Sequence, residues 1–221
     1  MRLTPDLIVR AYAAGVFPMA ETASDPQIHW FDPRRRGILP LEGFHVSRSL
    51  RRTRRRGGFR FSCDTDFAGV LASCADRETT WINDEIAQVF LDLHDIGLAH
   101  SIEVWTQDGA LAGGVYGLAI GGGFFAESMV SKVTDGSKLA LAELVARLTA
   151  GGFRLLDTQY LTPHLASLGG IEISRAAYRL RLESALAVSV DAARAFGPAT
   201  AADGAVWTAE ITGSGGSADD R

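Results

Sequence analysis

The stretch from Ala99 to Glu127 constrains the fold most. Ala99 to Thr106 places Ile102, Val104 and Trp105 in a strand-like run, Asp108-Gly109 is a strong hairpin turn, and Leu111 to Ile120 returns as a second strand. After Gly121-Gly122-Gly123, Phe124 to Glu127 reads as a third. Such a run requires a sheet built on hairpins. Gly113, Gly114, Gly117 and Gly121 lie within it, and interior glycines weaken strands, so their density predicts that something approaches the backbone closely.

The flanks are mostly helical. Thr4-Pro5 is an N-cap followed by a first helical position, and Leu7, Ile8, Ala11 and Tyr12 recur at helical spacing until Gly15. Residues 17–60 read as loops and short strands around Trp30, Pro33 and many arginines. A short strand, Phe59 to Ser62, precedes a helix from Phe67 to Cys74. Asn83 caps another helix, with acids in its first turn and Gly97 beyond its end. Ser137 to Ala150 is helical, Phe153 to Thr158 is a buried strand, and Ser174 caps a last helix reaching about Ala187. The expected fold class is α+β (mixed α/β). A small basic domain (1–60) precedes a larger domain (61–187) and a tail (188–221) expected to be mobile.

Composition excludes whole classes. Of 221 residues, 47% are hydrophobic and 22% charged, enough apolar side chain for a core and too much for a disordered chain. No apolar run reaches transmembrane length, and the periodic segment that starts close to Met1 leads us to expect no secretory leader. Cys63 and Cys74 fit no metal pattern and read as free buried thiols, so a cytoplasmic location is expected. The net charge of −4 conceals an asymmetry. Ten of the 22 basic residues are arginines between 34 and 60, opposed there by Glu42 alone. Such a basic segment in an acidic chain suits a polyanion.

The candidate chemistry narrows quickly. Gly121-Gly122-Gly123 lacks phosphate-loop spacing and reads as a tight turn. The letters of a pyrophosphate-binding acyltransferase loop occur only at Arg194 to Ala199, in the tail and without a preceding strand. The five histidines form no ligand pair, and no nucleophile elbow is present. Two acids stand out: Glu127 and Asp157 each end an apolar strand. If those strands are neighbours, the carboxylates converge at one sheet edge; otherwise each caps a turn.

Longer blocks go further. Ala11-Tyr-Ala-Ala-Gly-Val-Phe-Pro18, Trp30-Phe-Asp-Pro-Arg34, Arg36-Gly-Ile-Leu-Pro-Leu41 and Phe44-His-Val-Ser-Arg-Ser-Leu50 are followed by Thr80-Trp-Ile82 and His100-Ser-Ile-Glu-Val-Trp105. Gly113-Gly-Val-Tyr-Gly117, Glu127-Ser-Met129, Ser137-Lys138, Asp157-Thr-Gln159 and His164-Leu-Ala-Ser-Leu-Gly169 complete the series. With these blocks in this order, residues 3–185 resemble the bacterial leucyl/phenylalanyl-tRNA–protein transferases.

The resemblance implies an aminoacyltransferase that moves Leu, Phe or Met from aminoacyl-tRNA to the α-amine of proteins beginning with Arg or Lys, feeding N-degron degradation. It implies a Gcn5-related N-acetyltransferase-like domain that takes the aminoacyl-adenosine end of tRNA, with no metal, ATP or other cofactor. It assigns catalysis to Asp157 and Gln159, with Asp157 orienting Gln159 and the Gln159 carbonyl accepting a hydrogen bond from the attacking amine. Glu127, Asp157 and Thr162 are expected to bind the acceptor. Val115, Phe124, Met129, Leu141, Leu144 and Leu156 are expected to line the donor side-chain pocket, and Tyr12, Trp81 and Phe90 to surround the adenosine. Arg34, Arg35, Arg36, Arg48, Arg51, Arg52, Arg54, Arg55 and Arg56 are expected to hold tRNA phosphates. A monomer is expected, since no coiled-coil seam is present. An acetyl-CoA-dependent N-acyltransferase and a non-catalytic tRNA-binding module are the alternatives.

Overall fold

A computed structural model describes residues 2–197. The chain opens with helix α1 (Pro5–Ala13), where the Thr4 side chain accepts from the Leu7 amide. An antiparallel ribbon of β1 (Phe17–Ala20) and β2 (Ile28–Phe31) follows. The main sheet has seven strands. In spatial order they are β4 (Phe59–Cys63), β5 (Ala99–Thr106), β6 (Leu111–Ile120), β7 (Gly123–Ser131), β8 (Leu155–Gln159), β3 (Arg35–Ile38) and β9 (Ile171–Ser174). Every neighbouring pair is antiparallel except β7 and β8, which run parallel.

Helices cover both faces. On one side α5 (Gly136–Ala150) buries Leu139, Leu141, Leu144 and Leu148 against Val115, Phe124 and Leu156. On the other, Ile8 and Tyr12 of α1 share a core with α3 (Phe67–Ala75), α4 (Asp84–Asp95) and α7 (Arg175–Leu186), around Tyr116, Phe125 and Leu155. Adjacent residues on β7 and β8 feed opposite cores, as a side-chain period of two requires. The glycine-rich strand β6 explains itself here. A Cβ on Gly113 would lie 2.3 Å from the carbonyl carbon of Gly136, so the close neighbour is the start of α5.

Several features depart from the sequence reading. Residues 48–56 are a helix, α2 (Arg48–Arg56): Ser47 accepts from the Leu50 amide at 3.1 Å and Leu50 is the buried anchor. Six arginines in nine positions had hidden one cap and one apolar contact. The domain boundary at residue 60 does not match a break in the fold, because β3 lies inside the main sheet, paired with both β8 and β9. Finally, residues 188–197 are not loose. Helix α8 (Ala192–Phe196) stacks Phe196 on His100 with ring centroids 3.7 Å apart, and Arg147 donates to the Ala195 carbonyl at 3.2 Å. The rest of the expected mobile tail, 198–221, lies outside the described residues. Short elements β9 and α6 (Pro163–Ser167) also went unread.

Candidate active site

The parallel strands pair from Gly123–Leu155 to Phe125–Asp157. Beyond that point Ala126 to Met129 on β7 and Thr158 to Tyr160 at the end of β8 line a cavity of about 280 Å³. The opening therefore lies where the two strands part. Phe17 and Met19 of β1, Trp81, Thr162 and Leu165 complete much of its wall.

Gln159 ends β8 with φ of 56°, a left-handed conformation that is unfavourable for a residue with a Cβ by roughly 1–2 kcal/mol. Its backbone N–H donates to Asp157 Oδ1 at 2.9 Å, and its side-chain Nε2 donates to Glu127 Oε1 at 3.3 Å. The turn carries Tyr160 across β3, where only a glycine fits: a Cβ on Gly37 would stand 2.5 Å from the Tyr160 carbonyl carbon. Glu127 is the one carboxylate among the described residues lining the cavity. Burial pushes its carboxyl up to about 8; the Tyr12 hydroxyl and the Arg36 guanidinium pull the other way, and the Asp157 charge adds to the rise.

The two acids do converge on neighbouring strands, but they face different surroundings. Asp157 is fully buried and does not line the cavity. Arg36 Nε reaches its Oδ1 at 2.9 Å and Nη2 its Oδ2 at 2.6 Å, while the Tyr178 hydroxyl donates to Oδ2 at 2.7 Å. Its expected contact with the acceptor is therefore corrected: every approach to the carboxylate is already taken.

Other expected residues divide in the same way. Gln159, Glu127, Thr162, Met129 and Trp81 line the cavity. Tyr12 and Phe90 are wholly buried, edge-on to Phe125 and Tyr116, and present no ring face to a base. Val115, Phe124, Leu141, Leu144 and Leu156 belong to the core on the α5 side, against which Met129 packs. Arg36, 1% exposed, is removed from the phosphate group. Arg34, Arg35, Arg48, Arg52, Arg55 and Arg56 are exposed, with Arg35 facing Glu172 at 3.5 Å, while Arg51 and Arg54 are partly buried and Arg54 lies over the Phe61 ring. Helix α2 reaches the loop after β7 through Thr53, whose hydroxyl donates to Asp135 at 3.2 Å.

The sequence reading missed Phe17, Met19, Tyr160, Arg77 and His164 as cavity residues, and Tyr178 as the partner of Asp157. Their side chains carry no motif chemistry, although Phe17 and His164 fall within the recognised blocks. Among the described residues no group of three or more His, Cys, Asp or Glu could hold a metal ion. No helix among them is long and apolar enough to cross a membrane.

A mixed sheet that parts between two parallel strands, with an amide and a carboxyl in a largely apolar cavity at the parting, defines an α/β protein with a candidate site at the sheet's opening. Comparison with known proteins makes the class specific. The family model described as leucyl/phenylalanyl-tRNA protein transferase matches residues 38–183, and the model for its N-terminal domain matches residues 1–34. The chain belongs to this family. It is 61% identical to the leucyl/phenylalanyl-tRNA–protein transferase of Ruegeria sp. (strain TM1040), over 84% of this chain and 88% of that one. The proteins of the same name from Jannaschia sp. (strain CCS1) and Cereibacter sphaeroides (strain ATCC 17025) are 57% and 60% identical. These matches cover 86% and 84% of this chain, and 89% and 86% of the respective relatives.

Proposed function

We propose that the cavity between the parted strands receives the aminoacyl end of a tRNA and the N-terminus of an acceptor protein, and that Leu, Phe or Met passes from the first to the second. The acceptors begin with Arg or Lys, and the products enter N-degron degradation in the cytoplasm. The α-amine nitrogen attacks the ester carbonyl; an amide bond forms, the bond to the ribose oxygen breaks, and the amine proton leaves while that oxygen gains one. An α-amine titrates near pH 7.7–8.0, so roughly a tenth is neutral at pH 7 and no strong base is needed. Alignment supplies much of the rate.

Gln159 is the aligning group. Its Nε2 is held by Glu127, which leaves the side-chain carbonyl to accept from the amine. Glu127 faces the acceptor's positive charge. A carboxyl held partly protonated in the empty site loses its proton when a cation arrives, so the ion pair forms on binding. Thr162 lies at the same wall. Met129, Ala126 and Leu165 receive the donor side chain, with Phe124, Leu156, Val115, Leu141 and Leu144 as the packed floor behind them. Trp81 stacks on the terminal adenosine, a contact worth about 1–3 kcal/mol. The exposed arginines of α2 hold phosphates of the acceptor stem without reading sequence. In this reading the larger domain is Gcn5-related acetyltransferase-like, and the protein acts as a monomer without a cofactor.

The observation that carries the proposal is the Gln159–Glu127 pair at the strand parting. Transfer of labelled Leu or Phe from tRNA to an Arg-start peptide tests it. Wild type is expected to transfer, and Gln159→Ala to lose at least tenfold in rate. Wild type that binds acetyl-CoA and acylates from it, or that binds aminoacyl-tRNA without transfer, overturns the proposal.

A further inference from the structure

Arg36 carries the charge of a phosphate contact and occupies the place of a core residue. Its side chain is 1% exposed, against 0% for Asp157. Beyond the two-pronged contact with Asp157, Nη1 donates to the Gly15 carbonyl at 3.1 Å. The guanidinium lies between two rings, 4.4 Å from the centroid of Phe17 and 4.5 Å from that of Tyr178. Four parts of the chain thus meet around the Arg36–Asp157 pair: β3 through Arg36, α7 through Tyr178 and the end of β8 through Gln159 on the carboxylate, and the turn after α1 through the Gly15 carbonyl on the guanidinium.

Buried ion pairs are poor stabilisers, because desolvation consumes most of their attraction and apolar replacements of similar volume do as well or better. This one has a different output. A carboxylate offers about four acceptor directions. Here Arg36 and Tyr178 occupy them together with the Gln159 N–H, 2.9 Å from Oδ1. Nothing is left to bind an acceptor or carry a proton. What Asp157 does hold is the backbone of the residue in left-handed conformation at the cavity, and such a conformation persists only where its surroundings over-determine it.

We infer that Arg36 and Tyr178 are positioning residues for the transfer reaction, acting through Asp157 on the backbone of Gln159 so that its side chain stays in line with the attacking amine. This rests on the reading of Gln159 given above. It also means that the N-terminal module, through Gly15 and Phe17, takes part in shaping the catalytic end of β8.

The test uses full-length protein carrying Tyr178→Phe, which removes one hydroxyl and keeps the ring beside Arg36, and Arg36→Lys, which keeps charge but cannot span both oxygens. Transfer kinetics, tRNA affinity and thermal melting are measured for each. Tyr178→Phe is expected to fold, to keep tRNA affinity and the KM for peptide within twofold, and to lose about tenfold in kcat. Arg36→Lys is expected to lose up to about 10²-fold, the order of loss from a misplacement of about 1 Å. In a Gln159→Ala background Tyr178→Phe is expected to have no further effect on kcat. If Arg36→Lys fails to fold, Tyr178→Phe and the double variant decide the matter alone. The inference is overturned if kcat of a folded Tyr178→Phe stays within twofold of wild type, or if its effect persists undiminished without the Gln159 side chain. It is equally overturned if Arg36→Lys weakens tRNA binding in a salt-dependent way while keeping kcat at saturating tRNA, the signature of a phosphate contact. Wild type without transfer activity would instead refute the reading of the site.

Discussion

Gln159 combines an unfavourable backbone conformation with a cavity-facing amide, and two substitutions separate the contributions. Gln159→Ala keeps the strain and removes the amide; Gln159→Gly removes both. We expect both to lose activity to a similar degree, with the glycine variant the more stable by about 1 kcal/mol in denaturant melts. Glu127 is the second informative residue. Its folded carboxyl titrates near 8, above the ordinary carboxyl range. Between that range and about pH 8 the folded protein holds more protons than the unfolded chain, so this group's contribution makes stability fall as pH rises. Glu127→Gln is expected to flatten the decline between pH 5.5 and 8.5, read from urea midpoints at each pH. The same raised value predicts that binding a cationic peptide near pH 7 releases a proton. Calorimetry in two buffers of different ionisation enthalpy measures that release, and Glu127→Gln should abolish it.

At the scale of the element, α2 separates folding from binding. Leu50 is its buried residue and its arginines lie at or near the surface. Leu50→Ala is expected to cost about 2–5 kcal/mol, measured by chemical denaturation. Replacing Arg48, Arg52, Arg55 and Arg56 with glutamine is expected to leave melting nearly unchanged and to weaken tRNA binding. Each lost phosphate contact should lower the slope of log affinity against log salt by about one. A variant whose slope matches wild type removes α2 from the interface. The helix was legible in part: Ser47 is a good cap, but no apolar periodicity accompanies it, and a tertiary contact through Leu50 decides whether such a segment folds. The strands β5 and β6, by contrast, announce themselves through Asp108-Gly109, and α4 through Asn83, because caps and turns act within a few residues.

At the scale of the whole molecule, the N-terminal module and the sheet are one construction. Ile8 and Tyr12 are buried in the core shared with α4 and α7, and Gly15 and Phe17 enclose Arg36. A chain lacking residues 1–34 is therefore expected to lose cooperative melting, even though the remainder contains most of the sheet. Far-UV and near-UV dichroism on heating checks this. The amino-acid sequence determined most of the local elements, the basic segment, the placement of Glu127 and Asp157 on strands and, through its ordered blocks, the family; both strands run on past the acid, to Ser131 and Gln159. Those properties are carried by neighbours along the chain or by residue type. Tertiary structure decided which arginine is interior, which aromatic rings are sealed in the core and which of two acids meets the cavity. Arg36 and Asp157 are 121 positions apart, and nothing near either residue encodes the desolvation that pairs them. Burial is a property of packing between distant segments, so only the folded chain could distinguish a phosphate contact from a clamp.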